Sequence, residues 1–238
     1  MDNLFGKRPF SMSALKDFSK LDKPTRHHLK NVYACLSASM LTAALGSGVH
    51  LFSDILKGGF LSFIASLGFL IALRVTPHDG KNQLKRMGIL MGFAFCTGLG
   101  LGPLMDFVIQ IDPTIITTAF FATTLIFICL TLSALWAEQR TYLYFGGTLL
   151  SGLSLLCFLS LVNLFIGARF IFQLELYGGL LLFCGFVFYD TQLIVYKHKQ
   201  GDKDFVWHSV ELFLDFIEIF RRIMIILGQN KDSKKKKN

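Results

Sequence analysis

Paired cysteines, nucleotide-binding loops and alternating strand patterns are all missing from this 238-residue sequence. Its five cysteines, Cys35, Cys96, Cys129, Cys157 and Cys184, are odd in number, and each lies in a different apolar run without CxxC or Cys/His clustering. That excludes a disulfide framework and a cysteine-based metal centre, and leaves them as small packing residues. The GLGLGP stretch ending at Pro103 neither follows a strand nor precedes a helix with a downstream acid, so a phosphate loop is excluded and a kink at Pro103 is expected instead. Period-two alternation is absent from the apolar runs, which removes barrel strands. Residues 1–30 are polar and basic, so no cleavable signal peptide is expected.

What is present is apolar length. Hydrophobic residues make up 53% of the chain, 25 of them phenylalanine, and the mean hydropathy is +0.52, values that place the protein in a membrane. A hydrocarbon core about 30 Å thick takes roughly 20 helical residues to cross. Six runs meet or approach that length, at about 31–51, 59–76, 87–105, 114–136, 142–166 and 176–196. The expected fold is an all-α integral membrane protein, a bundle of six spanning helices plus a seventh hydrophobic helix that is central or re-entrant. Its expected organisation is a cytosolic basic segment 1–30, a transmembrane domain 31–227 and a lysine-rich cytosolic tail 228–238.

Lysine and arginine set the orientation. Seven lie in residues 1–30, four run from Arg74 to Arg86, and Arg140, Lys197, Lys199 and Lys203 fall on the same side, against Lys57 and Arg169 on the other. The positive-inside rule therefore puts the N-terminus and the even-numbered connections in the cytosol. The net charge of +8 is mostly this orientation signal, with the tail able to touch anionic lipid headgroups. No nucleic-acid partner is implied. Lys235 and Lys236 also fit a dilysine pattern, which directs retrieval to the endoplasmic reticulum when it faces the cytosol.

Segment 205–227 is apolar but carries His208, Glu211, Asp215, Glu218 and Arg222 at steps of three and four, which fall on one narrow helical face. One reading lays this helix flat on the membrane, with Glu218 and Arg222 as an ordinary i, i+4 pair. The sharper reading sets it among the other six, its acidic stripe lining a polar path with Glu211, Asp215 and Glu218 as ion-path candidates. Asp190 lies in the sixth run, at a depth that lets it meet Asp215; its alternative role is a cap at a helix break, helped by Thr191 and Gln192. Carboxyl groups inside a membrane mark a functional site. A pair that met there would share one proton, titrate as a unit and separate as pH rises, a proton-operated latch.

The segments HLKNVYA, GFAFCTGLGLGP, TAFFATTLIFICLTLSALWA, YGGLLLFCGFVFYDTQLI and GDKDFVWHSVELFLDFIEIFRRIM, with the lysine-rich tail, resemble the Bax inhibitor motif family, in particular its endoplasmic-reticulum branch. The resemblance covers nearly the whole chain, and FYDTQLI and LFLDFI are its most specific parts. It implies a seven-helix bundle with the seventh helix central, which leaks calcium from the store in a pH-sensitive way, suppresses cell death and interacts with Bcl family proteins. Other membrane proteins of the endoplasmic reticulum are further expected partners, alongside the bilayer itself. The family's paired aspartates fall on Asp190 and Asp215, which would contact calcium only transiently. Arg74 lies where some bacterial relatives place a latch arginine, with snorkelling to the cytosolic interface as its other role. Lys234, Lys235, Lys236 and Lys237 form the candidate pH-modulating tail. No cofactor is expected, calcium being the permeant ion, and no enzymatic activity.

Two aspartates on neighbouring helices also suit an intramembrane aspartyl protease, but the GxGD half of that signature is absent, since Leu212, Phe213 and Leu214 precede Asp215. A proton-coupled transporter would need a substrate pocket that the sequence does not display. A non-catalytic anti-apoptotic scaffold fits all of these features.

Overall fold

The computed structural model describes residues 22–53, 56–79, 81–137 and 145–235. Arg140, Lys236, Lys237, part of the dilysine pattern and the first 21 residues of the basic segment lie outside them. Among the described residues seven helices follow one another: α1 (Lys23–Phe52), α2 (Phe60–Val75), α3 (Gln83–Ile111), α4 (Thr114–Trp136), α5 (Gly146–Ile166), α6 (Arg169–Lys199) and α7 (Phe205–Lys235). In hydrocarbon, a helix satisfies its backbone groups internally, which is why the long apolar runs take this form.

Local signals set several boundaries. A proline at the first helical positions opens α1, where it costs no hydrogen bond, and Thr25 donates to the Asp22 carboxylate at 2.5 Å. Asp204 caps α7 by accepting from the Trp207 amide at 3.0 Å. Gly167 ends α5 at φ 66°, its amide reaching the Asn163 carbonyl at 2.8 Å, a left-handed position that favours glycine.

α7 is the centre. It packs against α1, α3, α4 and α6, and Leu212, Phe213, Ile219 and Met224 are fully buried. Phe216 meets Phe127 and Phe120 edge-on at 5.7 and 6.1 Å. The flat interfacial placement is thereby corrected, because a helix on the membrane surface would not bury its apolar face among four neighbours. The tightest seam is that of α1 with α3, where Gly46 lies against the Phe95 carbonyl and Gly98 against Ala43. Small residues permit such backbone approach where lipid supplies no hydrophobic drive between helices. α5 lies outermost, packed on α6 with Gly146 its one buried residue.

Five helices, α1, α3, α4, α5 and α6, have the length and composition to cross a membrane. The second run forms a shorter apolar helix: α2 has 16 residues, roughly 24 Å. Gly58, just before it, lies against the Leu99 carbonyl, so α2 begins beside the middle of α3. α1 starts at Lys23 rather than 31, which makes the end of the basic segment helical, and α3 continues through Pro103 to Ile111.

The connections alternate between two ends of the bundle. At one end Asp204, in the α6–α7 turn, meets Arg86 and His78 from the start of α3 and the α2–α3 connection. At the other, Lys231 of α7 binds Asp112 in the α3–α4 turn and Thr114 at 2.9 Å, and Lys235 donates to the Ile111 carbonyl. The re-entrant alternative is corrected. α7 is one unbroken helix of 31 residues, roughly 46 Å, and it finishes at the end opposite the N-terminus of α1.

Candidate functional site

α6 and α7 run antiparallel in a register that brings their polar residues face to face. At the Asp22 end, Lys197 pairs with Glu211 at 3.2 Å, and the Trp207 indole donates to the same oxygen at 3.1 Å. Arg74 lies over the Trp207 ring, 5.0 Å from its centroid. About a turn deeper, Asp190 and Asp215 come close enough to share a side-chain hydrogen bond. Two carboxyl groups can share one only if one of them carries a proton. Asp215 is 4% exposed, and its Oδ2 has no hydrogen-bond partner, so an ionised pair here would hold like charges away from water.

Two further turns along α7, Arg222 contacts the Glu218 carboxylate, donates to the Glu218 carbonyl at 3.2 Å and sits over Phe183 of α6 at 4.6 Å. Arg221 takes the same carboxylate oxygen at 2.9 Å. Near the far end, Gln173 donates to Gln229 at 3.0 Å. A cleft of about 420 Å³ between α2, α3 and α7 reaches Glu218 and Arg221 beside Ser66, Thr97 and Gly59.

The expected aspartate pair is thus brought together, and α6 runs unbroken through Asp190, which corrects the helix-break cap. Thr191 bonds back to Val187 at 2.7 Å, and Gln192 reaches the Ala134 carbonyl of α4 at 3.1 Å. Glu211 and Glu218 share the stripe with Asp215, but both are neutralised by basic partners. The geometry gives Arg74 a tryptophan face as its partner. Lys234 and Lys235 close α7.

Sequence reasoning missed two histidine sites. His28 Nε2 meets His208 Nδ1 at 2.9 Å while His198 stacks on His28 at 4.1 Å. His50 bonds Asp106 at 2.9 Å and accepts from the Gly58 amide at 2.5 Å, pinning the α1–α2 connection to α3. Their sequence signal was a histidine inside an apolar helix; the partners are too distant along the chain for spacing to reveal. Among the described residues no group of three or more His, Cys, Asp or Glu side chains is placed to hold a metal ion.

The family model described as inhibitor of apoptosis-promoting Bax1 matches residues 25–232. The chain is 53% identical to the probable Bax inhibitor 1 of Paralichthys olivaceus, covering 97% of this chain and 98% of that one. It is 48% identical to Bax inhibitor 1 of Homo sapiens over 98% of each, and 40% identical to that of Drosophila melanogaster over 88% and 85%. The chain belongs to the Bax inhibitor 1 family. Like the apolar helices, this membership fits a multi-pass membrane protein. The Bax inhibitor 1 relatives are named as inhibitors of a death-promoting protein, and no enzyme name occurs among those cited.

Proposed function

We propose that this protein is a pH-sensitive calcium leak of the endoplasmic-reticulum membrane that restrains cell death, gated by the proton shared between Asp190 and Asp215. The observation that carries the reading is the meeting of these two carboxyl groups in a seam closed by apolar helices. While the proton is shared, it ties α6 to α7. Its loss leaves two like charges in a poorly solvated site and favours a shift of α7 against α6. Calcium is a hard cation that takes six to eight oxygen ligands, so two carboxylates offer it passage rather than residence. The store location and the Bcl family partners follow from family likeness. Part of the dilysine pattern lies outside the described residues.

Purified protein in liposomes, assayed for calcium flux at several pH values, tests the reading. Asp215→Asn keeps the shape and removes the charge, and should lower flux on the order of tenfold, equivalent to about 1.4 kcal/mol of lost attraction. Either single asparagine should flatten the pH profile, and the double variant should add little because the two act as one unit. Unchanged flux in correctly inserted Asp215→Asn, with a wild-type pH profile in the double variant, would sink the proposal. Cleavage of a model transmembrane peptide, run in parallel, would establish the protease reading instead.

A further inference from the structure

We propose that Arg222 is a cationic plug seated in a glycine notch, closing the seam between the aspartate pair and the cleft beside α2; the inference rests on the calcium-leak reading. Arg222 is seven residues beyond Asp215, and Phe183, the ring beneath its guanidinium, is seven residues before Asp190. In antiparallel helices this places the guanidinium in line with the pair, about 10 Å further along the axis. Its side chain is 14% exposed.

The notch is specific. A Cβ on Gly179 would come within 2.8 Å of Arg222 Nη2 and 3.0 Å of Cζ, and closer to Nε, so any larger residue there would displace the arginine. Glu218 holds the plug from the other side and is itself held by Arg221 at 2.9 Å. The 420 Å³ cleft runs alongside α2 from Gly59 to Leu70 and reaches Glu218 and Arg221 of α7. An ion entering by that cleft meets the Glu218–Arg221 pair that lines it and then the Arg222 charge before it can approach Asp215. In a poorly solvated seam that charge opposes a divalent cation far more than it would in water. Movement of α7 against α6 would carry Arg222 off Gly179, which links the plug to the aspartate latch without a second gate.

The test is calcium flux in liposomes reconstituted with the full chain. Arg222→Gln leaves Glu218 paired with Arg221 and should raise flux on the order of tenfold, the equivalent of about 1.4 kcal/mol of removed repulsion. Arg222→Lys keeps the charge and should stay near wild type. Gly179→Ala, which dislodges the guanidinium and keeps the charge, should raise flux by itself and add nothing in the Arg222→Gln background. Equal flux for wild type and Arg222→Gln, while Asp215→Asn still lowers it, would overturn the plug and leave the leak standing. Equal gains from Arg222→Gln and Arg222→Lys would make the effect one of packing and likewise overturn it. If Asp215→Asn also matched wild type, the leak reading itself would fail.

Discussion

Gly98→Ala adds one methyl group at the tightest point of the bundle. Its Cβ would stand 2.7 Å from the Ala43 carbonyl carbon and 2.8 Å from Ala43 Cα, with the carbonyl oxygen nearer still. Carbon atoms pack best at about 3.5–4.0 Å, so α1 and α3 must separate by about 1 Å. The obstacle is backbone and cannot rotate away. Overpacking of this kind costs about 1–3 kcal/mol, set against a gain of roughly 0.5–1 kcal/mol for replacing glycine by alanine inside a helix. The net expectation is a loss of up to about 2 kcal/mol. For a chain of this size that lowers the midpoint of thermal unfolding by roughly 2–4 °C per kcal/mol, measurable in detergent. Gly48→Ala is the internal control. It lies on the same helix as Ala43 with nothing within 4 Å of its Cβ, so it should be neutral or slightly stabilising. Equal unfolding midpoints for Gly98→Ala and Gly48→Ala would refute the claim that α1 and α3 are held at backbone contact.

Two further outcomes follow from the ends of the bundle. Lys231, with help from Thr114, holds the Asp112 carboxyl well below the usual carboxylate range. A depressed value means the tie is present above that range and lost only as pH falls through it, so the protection of amides 228–235, taken relative to the intrinsic exchange rate at each pH, should not change between about pH 8 and pH 5. Asp112→Asn should speed that exchange severalfold at every pH, and a wild-type protein that loosened there by pH 5 would contradict the assignment. In a cysteine-free background, Gln83→Cys should react with a membrane-impermeant reagent from the cytosolic face, and Pro113→Cys and Ser233→Cys from the opposite face. Labelling of Ser233→Cys from the same side as Gln83→Cys would contradict the transmembrane course of α7.

The apolar runs were legible because hydrocarbon demands length and admits few charges, and Asp190 and Asp215 stood out against that background. What composition hid was contact. Glu211 read as an ion-path residue because nothing in its spacing reveals that Lys197, on another helix, lies 3.2 Å away. Arg74 reads as a latch or as a snorkelling arginine, and neither reading points to its observed partner, Trp207, more than a hundred residues distant. The second run, 59–76, forms a helix over nearly its whole length, α2, and at 16 residues it is the shortest of the seven described. Segment seven was ambiguous because lipid-facing and buried apolar residues look alike in sequence, and only its four neighbours fix it in the middle.

The central position of α7 also sets an order of events during synthesis. Chains form structure from the N-terminus as they emerge, yet here the helix around which the others are arranged leaves the ribosome last. Until Phe205–Lys235 arrives, α1, α3, α4 and α6 surround an axis with nothing on it, and Asp190 has no carboxyl partner. A nascent chain stalled or truncated before residue 205 would therefore leave the first six helices without a common centre, an assembly for quality control to clear rather than a weakened form of the finished protein.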